Sequence, residues 1–182
     1  MRPSLPLFAL AALAAAAPGP VDDGEMQRVE IAAVLPLEQG AALLLLEAGS
    51  GTVLPLVIGM PEATAIENGR RGVAPPRPFT HDLLASAVAA LGGKVARVEI
   101  DGFRDSVFRA KVLLSLGERT VALDARPSDS VALAVRTGAP IYAARKVLDG
   151  QGLSRGDLDR LRKSPGELER RLRGEESEGT RL

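Results

Sequence analysis

The amino-acid sequence predicts a mixed α+β domain in which a mostly antiparallel sheet packs against helices. Three observations predict it: segments whose polarity alternates as in strands, Gly-rich or Asp-Gly turns that join them as hairpins, and helical segments that follow an X-Pro step. The length of 182 residues fits one domain with short appendages. Because 46% of the residues are apolar and 25% are charged, the chain can bury a core and is neither disordered nor collagen-like.

The strands are predicted as two groups of three and a short last strand. The first group covers residues 28–34, 41–46 and 52–58, and the turn at 49–51 joins the second and third of these strands. Pro55 lacks an amide donor, which places the third strand at an edge or at a bulge. The later strands are predicted over residues 95–100, 108–114, 119–123 and 141–143.

Three helices are predicted between these strands. Pro61 opens the first, which runs to about Gly69. Thr80 is a good N-cap for the second, which carries an apolar stripe of Leu83, Leu84, Ala87, Val88 and Leu91. The third, from Ser130 to Thr137, is apolar nearly all round, so it must be buried.

The same order of elements occurs twice along the chain. Three strands are followed by an X-Pro step and a helix. The first X-Pro step is Met60-Pro61 and the second is Arg126-Pro127. The tetrapeptide at 28–31, Arg-Val-Glu-Ile, recurs at 97–100. This self-similarity predicts an internal duplication of a βββα unit.

The domain is predicted over residues 26–149, between two segments of different character. Residues 1–25 hold Arg2, an apolar run at 5–17 and a Pro-Gly-Pro step, which is typical of a secretory signal peptide and linker and too short for a membrane span. The expected location is therefore periplasmic or secreted, or cytoplasmic if translation starts at Met26. Residues 150–182 are a charged tail in which Ser154-x-x-Asp157 and Ser164-x-x-Glu167 predict two short helices.

Composition excludes several kinds of chemistry. The chain has no cysteine, so it has no disulfide, thiolate nucleophile or Cys-based zinc site. It has one histidine, His81, which is the only side chain that titrates near neutrality without help. Lys and Arg together balance Asp and Glu, 23 against 23, so any surface that attracts nucleic acid must be local.

Polar groups that could carry chemistry are concentrated at 77–82 and 124–129, each at the start of a predicted helix. Free amides and the positive end of the helix dipole attract anions there, and Arg77 and Arg126 would add cations. Joint chemistry requires the two segments to meet in space. The candidate catalytic residues are His81, Asp82, Arg77 and Arg126. The candidate oxygen ligands of a divalent cation are Glu62, Asp124 and Asp129, with Asp82 as a further one.

The same residue types have a purely structural interpretation. Thr80, Asp82 and Asp129 suit helix starts, and Arg77 and Arg126 could pair with the neighbouring aspartates. A non-catalytic regulatory or interaction module is therefore the alternative to an enzyme, and a small-molecule anion binder is a third interpretation.

Four segments, in this order and spacing, resemble the bifunctional nuclease domain family. They are 54–63 (LPLVIGMPEA), 77–84 (RPFTHDLL), 124–129 (DARPSD) and 140–142 (PIY). The resemblance implies a mixed α/β fold built on a duplicated β-rich unit, often dimeric, and a nuclease activity on DNA and RNA assisted by Mg²⁺ or Mn²⁺, described for some members. The low aromatic content, 3%, favours recognition of backbone phosphates with little sequence preference.

Overall fold

The computed structural model describes residues 26–162 and residue 170. Its strands are β1 Met26–Pro36, β2 Ala41–Glu47, β3 Val53–Ile58, β4 Gly93–Arg104, β5 Val107–Leu116, β6 Arg119–Ala125 and β7 Ile141–Ala144. Its helices are α1 Met60–Arg70, α2 Thr80–Ala90, α3 Pro127–Thr137, α4 Arg145–Gln151 and α5 Arg155–Arg162. The predicted signal peptide and the helix predicted at Ser164 lie outside the described residues.

The strands form one seven-stranded sheet in the order β3-β2-β1-β7-β4-β5-β6. Neighbouring strands are antiparallel except β4 and β7, which are parallel. The predicted α+β class with a mostly antiparallel sheet is therefore confirmed. The two copies of the repeated tetrapeptide flank β7, and Val29 of β1 and Val98 of β4 both lie opposite Ile141. Common ancestry of the two halves stays a prediction.

The main core lies between one face of the sheet and helices α1 and α3. Seven of the eleven residues of α3 are buried, as its nearly uniform apolar sequence predicts. The other face of the sheet carries a smaller cluster, in which Leu158 of α5 packs against Ala42, Leu44 and Val53. The described part of the tail thus packs on the domain, and α4 runs across residue 149, where the sequence predicted the domain to end.

Two helices start differently from the prediction made from the sequence. Helix α3 begins at Pro127 rather than Ser130, because proline fits the first helical position, where no amide bond is needed. Phe79 rather than Thr80 is the N-cap of α2. The Asp82 carboxylate accepts the Phe79 N–H at 2.8 Å, so an acidic side chain in the first turn does the work that a Thr80 hydroxyl would do.

Helix α2 has no buried residue. Only Ala85 and Val88 pack partly against the core, while Leu83 and Leu91 of the predicted stripe are 64% and 80% exposed. Within the described residues, no helix has the length and apolar character needed to cross a bilayer.

Candidate functional site

Four polar side chains meet where three helices begin. Glu62 is the third residue of α1, His81 the second of α2 and Asp129 the third of α3, and Arg126 is the N-cap of α3. Helix α1 follows edge strand β3, and α3 follows the opposite edge strand β6. The sheet must curl for these two ends to meet. We call these four residues the Arg126 cluster.

The Arg126 guanidinium holds the cluster together. Its Nε donates to Asp129 Oδ2 at 2.7 Å, and one Nη donates to Glu62 Oε1 at 2.7 Å and to Asp129 Oδ1 at 3.0 Å. The other Nη, with two N–H donors, has no hydrogen-bond partner among the described residues. The Arg126 side chain is 68% exposed, whereas that of Glu62 is only 13% exposed. The arginine therefore covers the carboxylates and presents its free donors to solvent.

His81 joins the cluster through Asp129. Its Nε2 lies 3.2 Å from Asp129 Oδ1, and the imidazole is mostly buried. An ionised carboxylate can only accept hydrogen bonds, so the proton of this bond belongs to Nε2. Nδ1 of His81 is then the nitrogen with a free lone pair. A carboxylate that fixes the tautomer and orientation of an imidazole is the usual partner of a histidine that accepts protons.

The ion pairs shift the pKa values of two members. Burial alone would raise the pKa of Asp129, but hydrogen bonds from Arg126 and His81 outweigh it and hold the pKa below its ordinary value. Hydrogen bonds to Asp129 and Glu62 raise the pKa of Arg126 above its ordinary value. Both groups therefore stay charged at neutral pH.

The helix starts decide the local potential. With His81 uncharged, one arginine and two carboxylates leave the cluster with a net side-chain charge of about −1. Each helix N-terminus contributes roughly +0.5 elementary charge. The start of α2 is already capped by Asp82, so those of α1 and α3 offset the charge of about −1. Neither of these two helices has a side-chain cap hydrogen bond, and apart from Pro61 and Pro127, which have no N–H, their first-turn amides can attract an anion.

The other predicted site residues lie elsewhere. Asp82 accepts the Phe79 N–H and pairs with Arg136 Nε at 2.5 Å, so it ties the start of α2 to the end of α3. Arg77 is exposed and has no hydrogen bond or ion pair within the described residues. Asp124 lies in β6 opposite Lys111, on the face of the sheet turned away from α1 and α3.

The predicted carboxylate-held metal site does not fit this arrangement. Glu62 and Asp129 both bind Arg126, and the guanidinium occupies the place between them. Asp124 points to the opposite face of the sheet. Across the part of the chain that the structure describes, no three His, Cys, Asp or Glu side chains come together in a way that could hold a metal ion.

A cleft of about 540 Å³ opens beside the cluster. Its walls come from β3, the β4–β5 hairpin, the start of α3 and the connection between α4 and α5. Arg126 lies on its rim, and Phe103 and Phe108 line its apolar side. The volume falls within the range of sites that bind drug-sized molecules.

Sequence reasoning missed three of these residues. Arg136, near the end of α3, pairs with Asp82 and also donates to the Val73 carbonyl. Arg136 lies seven residues after Asp129 on α3, and residues seven apart share one face of a helix. That spacing was the signal in the sequence that both side chains face α2. Phe103 and Phe108 are opposite each other in the β4–β5 register. The sequence pattern indicates that both lie in strands joined by a tight turn, but it does not indicate the cleft beside that turn.

Comparison with known proteins identifies the class. The sequence model of the bifunctional nuclease domain matches residues 43–155, which is more than half of the chain. The chain belongs to the bifunctional nuclease domain family. It is 43% identical over 130 residues to an uncharacterized protein of Mycobacterium tuberculosis, a match that covers 71% of this chain and 77% of that protein.

The relatives named as nucleases are more distant plant proteins. Bifunctional nuclease 1 of Oryza sativa subsp. japonica is 28% identical over 116 residues, 62% of this chain and 35% of that protein. Bifunctional nuclease 2 of Arabidopsis thaliana is 26% identical over 126 residues, 68% of this chain and 38% of that protein. The chain thus spans little more than a third of the length of these relatives.

Proposed function

We propose that the protein hydrolyses phosphodiester bonds of DNA and RNA with little sequence preference, at the Arg126 cluster. The observation that carries the proposal is the free Nη of Arg126 next to the Asp129–His81 pair, at the point where three helices begin. Membership of the bifunctional nuclease domain family supports the same reaction class. The names of the plant relatives support it as well.

Binding of the phosphodiester would use Arg126 and the helix amides. The free Nη of Arg126 can donate a charge-assisted hydrogen bond to a phosphate oxygen, while Nε and the other Nη stay bound to Asp129 and Glu62. Its exposure allows an approach from solvent without displacing Glu62 or Asp129. Contacts to phosphate carry no sequence information, which agrees with broad selectivity.

The proton transfers fall to His81. Its Nδ1 accepts a proton from water as the water oxygen bonds to phosphorus, and Asp129 stabilises the imidazolium that forms. The bond from phosphorus to the leaving ester oxygen then breaks on the opposite side; that oxygen takes a proton from solvent water, and His81 releases its own proton to the hydroxide so formed. Arg126 would stabilise the charge on the phosphoryl oxygens during the exchange.

A requirement for Mg²⁺ or Mn²⁺ stays a prediction of the family resemblance. The described side chains do not form such a site, so no step above depends on it. Cleavage assayed with Mg²⁺, with Mn²⁺ and with EDTA tests the requirement directly. Loss of cleavage in EDTA would mean that substrate or rearranged carboxylates supply the ligands.

The experiment is cleavage of supercoiled plasmid and of a labelled RNA by the purified full chain. Wild type is expected to cut both, and His81→Ala is expected to slow the rate on the order of a hundredfold or more. Asp124→Asn is the control. Asp124 was a candidate site residue in the sequence, like Glu62 and Asp129, but its carboxylate lies on the other face of the sheet. Unchanged rates for His81→Ala in a folded protein, or no cleavage by wild type, would refute the proposal.

A non-catalytic regulatory or interaction module is the second candidate. One observation favours it: Arg126 already makes three hydrogen bonds to Glu62 and Asp129, which is also what a lock between α1 and α3 requires. In that case Arg126→Gln would lower the free energy of unfolding by more than about 3 kcal/mol, and nuclease-free wild type would leave nucleic acid intact.

We also propose a homodimer that uses the exposed face of α2. Leu83 and Leu84 on α2 and Leu91 directly after it are exposed, and an exposed apolar patch of this kind is typical of an interaction surface. Leu83→Glu with Leu91→Glu should then shift the mass measured by light scattering from dimer to monomer, whereas a monomeric wild type contradicts the proposal.

Export to the periplasm or the medium, with removal of residues 1–25, is tested by N-terminal sequencing of the mature protein; an intact cytoplasmic product starting at Met26 would contradict export.

A further inference from the structure

The cleft beside the Arg126 cluster has an aromatic wall. The Phe103 and Phe108 rings are 4.5 Å apart, centre to centre, and inclined at 52°. Phe108 packs partly against the main core, while Phe103 is 39% exposed. The Phe108 ring therefore supports Phe103, which lines the cleft and stays partly accessible.

The aromatic residues are unevenly placed. The chain has four phenylalanines and one tyrosine. Two of the three phenylalanines in the described residues line this cleft, and the third, Phe79, is the N-cap of α2 beside His81. The low aromatic content predicted recognition without base stacking, but two phenylalanine rings share one cleft with Arg126.

We propose that this cleft is a nucleobase subsite and that the protein prefers single-stranded nucleic acid. The inference rests on the proposed function and names its substrate class. A ligand suited to this lining combines an anionic group for Arg126 with a flat apolar group for Phe103. A phosphate with its neighbouring base has that combination, and the volume of about 540 Å³ accommodates such a unit.

The preference for single strands follows from access. Bases in a duplex are stacked on each other, and their faces cannot reach a side-chain ring. An unpaired base can turn outward and stack on Phe103. Because every base has a π face, the subsite distinguishes single strands from duplexes without reading sequence.

The test measures binding of the full chain to three fluorescent ligands by anisotropy: an oligothymidylate of about ten nucleotides, an abasic chain of the same length, and a duplex, all with phosphorothioate linkages that resist cleavage. Wild type is expected to bind the oligothymidylate about tenfold more tightly than the abasic chain and more tightly than the duplex. A duplex bound as tightly as the oligothymidylate would overturn the preference for single strands. Phe103→Ala should remove the difference between the oligothymidylate and the abasic chain and leave the abasic affinity unchanged. Phe103→Leu keeps apolar bulk without a ring and should also lose most of the difference.

Leu123→Ala is the matched control, since Leu123 is equally exposed, at 42%, and does not line the cleft. Equal affinity of wild type for the oligothymidylate and the abasic chain would overturn the base subsite and leave phosphate binding intact. Failure of folded wild type to bind either chain would instead refute the proposed function, and the subsite with it. A Phe103→Ala protein that loses affinity for both chains equally would also overturn the subsite.

Discussion

Replacing Arg126 by glutamine removes three hydrogen bonds to two carboxylates and leaves both without a cation. Exposed ion pairs contribute about 0.2–1 kcal/mol each, and removal of one partner of a fully buried pair costs about 3–5 kcal/mol. The cluster lies between these limits, because Arg126 is largely exposed while Glu62 is mostly buried. We expect Arg126→Gln to lower the free energy of unfolding by about 1–2 kcal/mol.

A double-mutant cycle with Glu62→Gln isolates the pair between α1 and α3. Once Arg126 is gone, neutralising Glu62 removes an unpaired buried carboxylate. The double variant should therefore be more stable than the sum of the single effects by about 0.5–1 kcal/mol. Urea unfolding followed by far-ultraviolet circular dichroism is the suitable assay, since the chain has no tryptophan.

The control is Arg70→Gln, which breaks the exposed pair with Glu67 on α1 and should cost no more than about 0.5 kcal/mol. A loss above about 3 kcal/mol for Arg126→Gln would show a buried structural lock and favour the non-catalytic module. Additive effects of Arg126→Gln and Glu62→Gln would show that the 2.7 Å contact contributes no coupling.

Three further changes test other parts of the structure. The pKa of Asp129 is lowered, so its contribution to stability is present above the unfolded-state pKa of about 3.9 and is lost as pH falls through the lower folded value. The urea midpoints of wild type and Asp129→Asn should therefore converge as the pH is lowered below about 3.9, and a constant gap would contradict this. Leu133→Ala, in the buried face of α3, should cost about 2–5 kcal/mol in the same assay, and a cost below 1 kcal/mol would argue against the placement of α3. Gly152→Ala places a methyl group against the Leu148 carbonyl and the Thr52 side chain and should cost about 1–3 kcal/mol; Gly150→Ala, where nothing lies within 4 Å, is the control, and equal stability of the two variants would contradict the packing.

Prediction from sequence succeeded where one local rule decided the outcome. Pro61 marks the start of α1, the apolar sequence of α3 matches its burial, and the predicted capping box at the tail is present, with Asp157 N–H donating to Ser154 Oγ at 3.1 Å. Each of these features depends on residues within one turn. The meeting of the segments around 80 and 126 depends instead on the curl of the sheet, which no local pattern contains.

Two errors have physical causes. The sequence ended the sixth strand at residue 123, but β6 continues to Ala125. Successive side chains of a strand point to opposite faces of the sheet, and Asp124, which is still in the strand, points away from the helices. Arg126 follows the strand and is not bound by this alternation, so its side chain lies on the side of the helices. The stripe predicted on α2 is largely exposed. A pattern of apolar residues shows which side chains share a face but not how deeply that face is buried.

Strand β7 has a consequence for the order in which the molecule can be assembled. It is only four residues long and comes late in the sequence, yet it is the middle strand that joins β1 to β4. During synthesis, each hairpin group can form as soon as its own residues have left the ribosome. The two groups can share a continuous sheet only after residue 144 has emerged. A fragment that stops before Ile141 should therefore expose two bare strand edges and aggregate, although it would contain all four residues of the Arg126 cluster.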